Sequence, residues 1–110
     1  MKEDTVYLNH ILDCIANIEE DSAQGYEYFM ASRTHQDAVL RNLQVMAEST
    51  QHLSDELKAT QPEIEWREIA TFRNILVHDY LGIDLETVWE ITQRDIPRLK
   101  QAIITMLSLG

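Results

Sequence analysis

The sequence predicts an all-α protein, an up-and-down bundle of four main helices and one short helix. Three observations predict it. Only three Gly and two Pro punctuate 110 residues. No run alternates polar and apolar side chains for long, so strands are not expected. Apolar residues recur instead at three- and four-residue steps, the repeat of one helix face.

From about Asp4 to Glu19, the residues Val6, Leu8, Ile11, Leu12, Ile15 and Ile18 mark the apolar face of a first helix. Gly25 interrupts residues 20 to 36, where Tyr26, Tyr28, Phe29 and Met30 suggest a short packed helix and Ser32 to Thr34 a turn. Thr34 is the expected N-cap of the next helix, with Asp37 near its positive end. Val39, Leu43, Met46, Ala47, Leu53 and Leu57 then mark one face through Leu57. Thr60-Gln61-Pro62-Glu63 should stop that helix and start a fourth, since Pro is tolerated in a first turn and acids suit an N-terminus. The fourth face reads Trp66, Ile69, Phe72, Leu76 and Val77 and runs out near Gly82. Asp84 can cap a fifth helix with Leu85, Val88, Trp89, Ile96, Leu99, Ile103, Met106 and Leu107 on its apolar face. Pro97 lies inside it and should kink or divide it, because the ring removes a backbone hydrogen bond.

The length suits one domain, 1–110, and a multi-domain enzyme is not expected. A net charge of −10, from 19 acidic and 9 basic residues, argues against a general basic surface for nucleic acid, so any contact with phosphate must be local. Hydrophobic residues are 45% and charged residues 25%, a globular balance that excludes the disordered and fibrous classes. The single cysteine, Cys14, closes no disulfide within the chain and falls between Ile11, Ile15 and Ile18. No basic segment followed by an apolar run opens the chain, and no stretch approaches the roughly 18 uncharged residues of a membrane span. The expectation is a soluble, cytoplasmic protein without a membrane partner. A bundle of this size buries only about 60 to 70% of its unfolded surface, so a second copy packed alongside would help it.

The residues that resist a purely structural reading lie in the fourth helix. With Arg73 at zero on a wheel, Trp66 falls near 20°, Val77 near 40°, Ile69 near 320° and Leu76 near 300°, placing Arg73 inside the apolar arc. Tyr80 falls within about 20° of Arg73, while Asn74 and His78, four apart, share a neighbouring face. One reading is structural: Arg73 pairs with a core acid such as Glu48, and Tyr80 packs with its ring. The other is a site. His78 lies about 140° from Arg73 on an ideal helix, so one copy does not easily aim both at one phosphate, whereas two copies can.

Arg73-Asn74-Ile75-Leu76-Val77-His78-Asp79-Tyr80 reads as Arg, four residues, His, one residue, Tyr. This resembles the signature of the HEPN domains, specifically the HepT-like toxins of bacterial and archaeal toxin–antitoxin pairs. The similarity extends in order through Tyr7-Leu8, His10-Ile11-Leu12-Asp13, Asp37-Ala38-Val39, Arg41-Asn42-Leu43 and Leu53-Ser54 with Glu56-Leu57-Lys58. It continues through Pro62, Trp66-Arg67, Ile69, Gly82-Ile83-Asp84-Leu85 and Val88-Trp89, covering nearly the whole chain. Glu65 stands where the family pattern suggests Pro, and Thr71-Phe72 where it suggests Gly-Met. Both departures bear on helix packing more than on chemistry.

The resemblance implies a HEPN-like fold packed as a two-fold dimer, and a metal-independent endoribonuclease whose Arg and His motifs from both chains line a shared cleft. Cleavage through the 2′-hydroxyl of RNA requires a base, an acid and positive charge for the phosphorane. His78 and its symmetry mate would divide the acid and base roles, and Arg73 would hold two phosphate oxygens with its planar fork. Asn74 would orient His78 or a phosphate oxygen, and Arg41 or Arg33 would help draw RNA, such as tRNA, into the cleft. The resemblance also implies a partner: an MntA-like nucleotidyltransferase antitoxin that transfers AMP from ATP onto Tyr80, adding bulk and negative charge. ATP would be the partner's donor, and no cofactor is expected for this chain. Gly82 would permit a turn that leaves the phenol reachable. The alternative is a non-catalytic subunit that presents nucleotide or substrate to a nucleotidyltransferase.

Other groups invite less. His10 with Cys14, and Glu48, His52 and Glu56, have helical spacing compatible with a metal, but neither makes a complete ligand set, so none is expected. Glu19-Glu20-Asp21 reads as solvated charge. Tyr26, Tyr28 and Phe29 read as core rather than a base-stacking platform, since no Lys or Arg interleaves them.

Overall fold

A computed structural model describes residues 2–109; Met1 and Gly110, the ends of the expected 1–110 domain, lie outside the described residues. The fold is all helical. Helix α1, Lys2–Ser22, opens with Glu3 and Asp4 at its positive end. It buries Leu8, Ile11, Ile15 and Ile18 together with Cys14. Each such aliphatic side chain contributes about 1.5 to 3 kcal/mol through removal from water. Val6 departs from the expected face and is 64% exposed. It lies about 160° from Leu8 on the wheel, whereas Asp4 falls within about 40° of it and is buried.

Gly25, with φ of 98°, turns the chain into α2, Tyr26–Ala31, whose Phe29 is fully buried. Tyr28 does not join the core as expected. It is 43% exposed and meets the His35 ring edge-on. Helix α3, Arg33–Gln51, begins two residues earlier than Thr34 would allow as a cap. Ser32 holds that place, its Oγ accepting from the His35 backbone N–H. Helix α3 also stops at Gln51, before Leu57, because Ser54 starts a separate turn, α4, Asp55–Lys58. Ser54 Oγ accepts from Leu57 N–H, while its own N–H and hydroxyl both donate to the buried Asp4 carboxylate, at 2.9 and 2.8 Å.

The next helix, α5, covers Trp66–His78. Pro62 therefore lies in the preceding turns and not in a first helical turn. Trp66 anchors the start, its indole N–H shared between the carbonyls of Lys58 and Gln61. Asp79, at φ −138° and ψ 46°, ends α5, and a 3-10 turn, Tyr80–Gly82, follows. The expected cap at Asp84 is present, its carboxylate accepting from Glu86 N–H and the Thr87 hydroxyl. Helix α6, Leu85–Glu90, passes through one π-helical segment, 91–95, into α7, Ile96–Leu109. The expected interruption at Pro97 takes this form: proline offers no N–H one turn on, and the preceding turn widens.

Helix α3 packs against α1 on one flank and α5 on the other, and α1 packs against α7. An apolar groove of about 250 Å³ separates α5 from the last helix, with Ile69 and Phe72 facing Ile96 and Leu99 over Leu43 and Met46. Arg73, Asn74, His78 and Tyr80 do not line it. No helix among the described residues is long and apolar enough to cross a membrane.

Candidate functional site

Helix α5 packs along α3 so that Arg73 lies near the end of α3, at Glu48, while the turn after α5 reaches the start of α3, at Asp37. The apolar side of α5 seats Leu76 in the core, and this brings Arg73 to the seam between the two helices. Arg73 Nη2 and Nε donate to Glu48 Oε1 at 3.1 and 3.4 Å, and Nη1 donates to Asn74 Oδ1 at 3.2 Å. The pair with Glu48 expected from the structural reading is thus present. It is partly wet, with side chains 30% and 43% exposed. A planar guanidinium has five N–H groups, so one on each Nη stays available for two oxygens of an anion such as a phosphate.

Asn74 bonds Arg73 rather than orienting His78. His78 is the last residue of α5 and is exposed. Among the described residues it makes no hydrogen bond, ion pair or ring contact, whereas the other three histidines are engaged. His10 Nδ1 meets Ser49 Oγ at 2.6 Å, His35 meets Ser32 Oγ, and His52 stacks on Tyr7 at 4.7 Å. No hydrogen bond joins Arg73 to His78 within the chain; the guanidinium is bound to Glu48 and Asn74 instead.

Tyr80 corrects the helical extrapolation that set it beside Arg73. The helix ends at His78, and the 3-10 turn carries the ring back toward the start of α3, where the hydroxyl donates to Asp37 Oδ1 at 2.9 Å. That bond raises the phenol above its ordinary pKa of 10.0, with burial and the Asp37 charge adding to the effect and Arg33 opposing it. Gly82 serves the turn through space and not through an unusual φ: a Cβ there would stand 2.8 Å from the Asp79 carboxylate oxygens. The ring is 46% exposed.

On the α3 wheel, Arg33, Asp37, Arg41 and Glu48 fall within about 80° of one another, a charged stripe edging the seam. Arg41 is exposed on that stripe. Asp37 was read from sequence only as a helix-start acid; its spacing of four from both Arg33 and Arg41 is the signal that marks the stripe. A second feature escaped the sequence. Val77 and Ile75 are 39% and 42% exposed and Leu81 is 98% exposed, so uncovered apolar side chains flank His78 and Tyr80 in sequence. Of the two groups with metal-compatible spacing, His10 Nε2 and Cys14 Sγ do meet, at 3.9 Å, whereas Glu48 holds Arg73 and His52 stacks on Tyr7. Among the described residues no three His, Cys, Asp or Glu side chains group as a metal site.

An all-helical chain carrying Arg, four residues, His, one residue and Tyr at the end of its third long helix has the features of a HEPN domain. The profile of the HepT-like family, described as ribonuclease HepT-like, matches residues 11–106, and the chain belongs to that family. It is 37% identical over 95 residues to a probable ribonuclease HepT of Thermococcus cleftensis, covering 86% of each protein. It is 38% identical over 107 residues to a Methanocaldococcus jannaschii protein named a gamma-glutamylcyclotransferase and candidate RNase, covering 96% of this chain but 48% of that one. A candidate RNase of Caldanaerobacter subterraneus is 31% identical over 108 residues, with 97% and 96% covered. No solved structure matches the chain.

Proposed function

We propose that this chain is the toxin of a toxin–antitoxin pair, a metal-independent endoribonuclease that acts as a two-fold dimer and is silenced by AMP transfer to Tyr80. The observation that carries the reading is the free His78 imidazole at the end of the helix whose Arg73 guanidinium keeps donors for phosphate. Every other histidine is engaged with a neighbour. One chain offers one free imidazole, and a dimer closed over Ile75, Val77 and Leu81 offers two. In that cleft one His78 takes the proton of the RNA 2′-hydroxyl as its oxygen attacks phosphorus. The other protonates the departing 5′-oxygen, and Arg73 holds the phosphorane oxygens. A 2′,3′-cyclic phosphate results.

These steps use no metal. Asn74 braces Arg73, and Arg41 and Arg33 guide the phosphate backbone of a structured RNA such as tRNA into an otherwise acidic surface. The cognate antitoxin is an MntA-like nucleotidyltransferase, and ATP and RNA make the cytoplasm the place of action.

The test is cleavage of total cellular RNA by the purified chain in EDTA, with His78→Ala beside wild type. Cleavage by wild type and a loss of at least 10²-fold in the variant are expected. Equal cleavage by both overturns the mechanism. The Glu48 pair favours one competing reading, a structural role for Arg73. Under it Arg73→Ala loses stability and activity together, while a site residue loses activity at unchanged melting temperature.

A further inference from the structure

Tyr80 does not point freely into solvent, and what holds it bears on how it is modified. Its hydroxyl donates to Asp37 Oδ1 at 2.9 Å, and Asp37 is exposed on the second turn of α3. Arg33, one turn earlier on α3, lies close enough to favour the ionised phenol. The ring is held there by the end of α5 at His78 and by the tight turn in which Asp79 closes over Gly82. Arg33 acts on Tyr80 directly, Arg41 follows Asp37 by one turn on α3, and His78 and Asp79 precede Tyr80 at the end of α5.

We propose that Asp37 is the proton acceptor for Tyr80 when the phenol takes up AMP, so that the modified chain supplies its own base. The inference rests on the AMP-acceptor reading above. In the step, the Tyr80 oxygen bonds to the α-phosphorus of ATP, and the bond from that phosphorus to the oxygen bridging to the β-phosphate breaks. Pyrophosphate leaves with the electron pair. The phenolic proton, already shared with Asp37, passes to Oδ1 and then to water as the oxygen loses basicity. Arg33 offsets the negative charge of the incoming triphosphate. The bond to Asp37 holds the neutral phenol in the resting protein, so the base acts only when phosphorus engages the oxygen.

The experiment incubates the full chain with its cognate nucleotidyltransferase and magnesium ATP and follows AMP mass on the Tyr80 peptide. Wild type, Asp37→Asn, Asp37→Ala and Tyr80→Phe are compared between about pH 6.5 and 9. Asparagine keeps an acceptor for the hydroxyl but takes no proton. Both Asp37 variants should modify at least 10²-fold more slowly, with a rate that rises with pH as the free phenolate grows, while wild type stays nearly flat. Matched thermal melts show that an exposed position has not cost the fold. Modification of Asp37→Asn as fast as wild type, or faster, overturns the proposal and leaves Tyr80 as acceptor. Absence of AMP on wild-type Tyr80 overturns the acceptor reading and this inference with it.

Discussion

At the residue scale, the Arg73–Glu48 pair shows why exposure must be weighed before energy is assigned. A fully buried pair broken by removing one partner costs about 3 to 5 kcal/mol. With the two side chains 30% and 43% exposed, solvent screens the charges, and the pair stabilises by about 1 kcal/mol or less. Glu48→Ala should therefore lower stability in urea unfolding by no more than about 1 kcal/mol. A loss of several would show a drier seam. Tyr80 gives the second prediction. Its bond to Asp37 favours the neutral phenol and raises the pKa above 10.0, so the bond stabilises the fold fully below the unfolded value. That contribution is lost as pH rises through the raised folded value. Alkaline ultraviolet titration, taken as wild type minus Tyr80→Phe, should show Tyr80 ionising above the ordinary phenol, and Asp37→Asn should bring it down. Glu48 was legible in the sequence because an arginine inside an apolar arc requires an acid nearby. Asp37 was not legible as the partner of Tyr80, because a wheel drawn through Tyr80 continues a helix that the backbone leaves at Asp79.

At the element scale, periodicity reports faces and misses breaks. Leu53 and Leu57 keep the repeat of α3, so the sequence carries it through Leu57, while the chain stops at Gln51 and restarts at Ser54. What decides the break is the buried Asp4 carboxylate, fifty residues away in sequence, which accepts twice from Ser54. No local pattern reports such a partner. Ser54→Ala removes the cap on Leu57 N–H and one of the two bonds to Asp4. It should cost about 1 to 3 kcal/mol in thermal or urea melts. A neutral result would mean that α4 contributes little to the fold. The interruption near Pro97 was legible because its cause is local: a missing N–H acts within a turn of the ring. Likewise Asp84 caps α6 through its own side chain within three residues.

At the scale of the whole molecule, the bundle encloses one core but leaves Ile75, Val77, Tyr80 and Leu81 exposed, all within three residues of His78 in sequence. The four-helix order was legible because each long helix carries its own apolar stripe. These exposed apolar side chains were not, because Val77 reads as core by spacing and Leu81 lies past the helix end. If a second copy covers Leu81 and its exposed neighbours, light scattering should give about twice 12.8 kDa. Leu81→Asp, which places charge at a 98% exposed residue, should then yield a folded monomer that cleaves no RNA. A wild-type monomer that cleaves at full rate would remove the shared cleft. The central claim is that two free imidazoles and Arg73 cut RNA through its own 2′-hydroxyl. End-group analysis of the products formed in EDTA tests it most directly. The account predicts 5′-hydroxyl and 2′,3′-cyclic phosphate ends from wild type and none from His78→Ala, whereas 3′-hydroxyl and 5′-phosphate ends would contradict it.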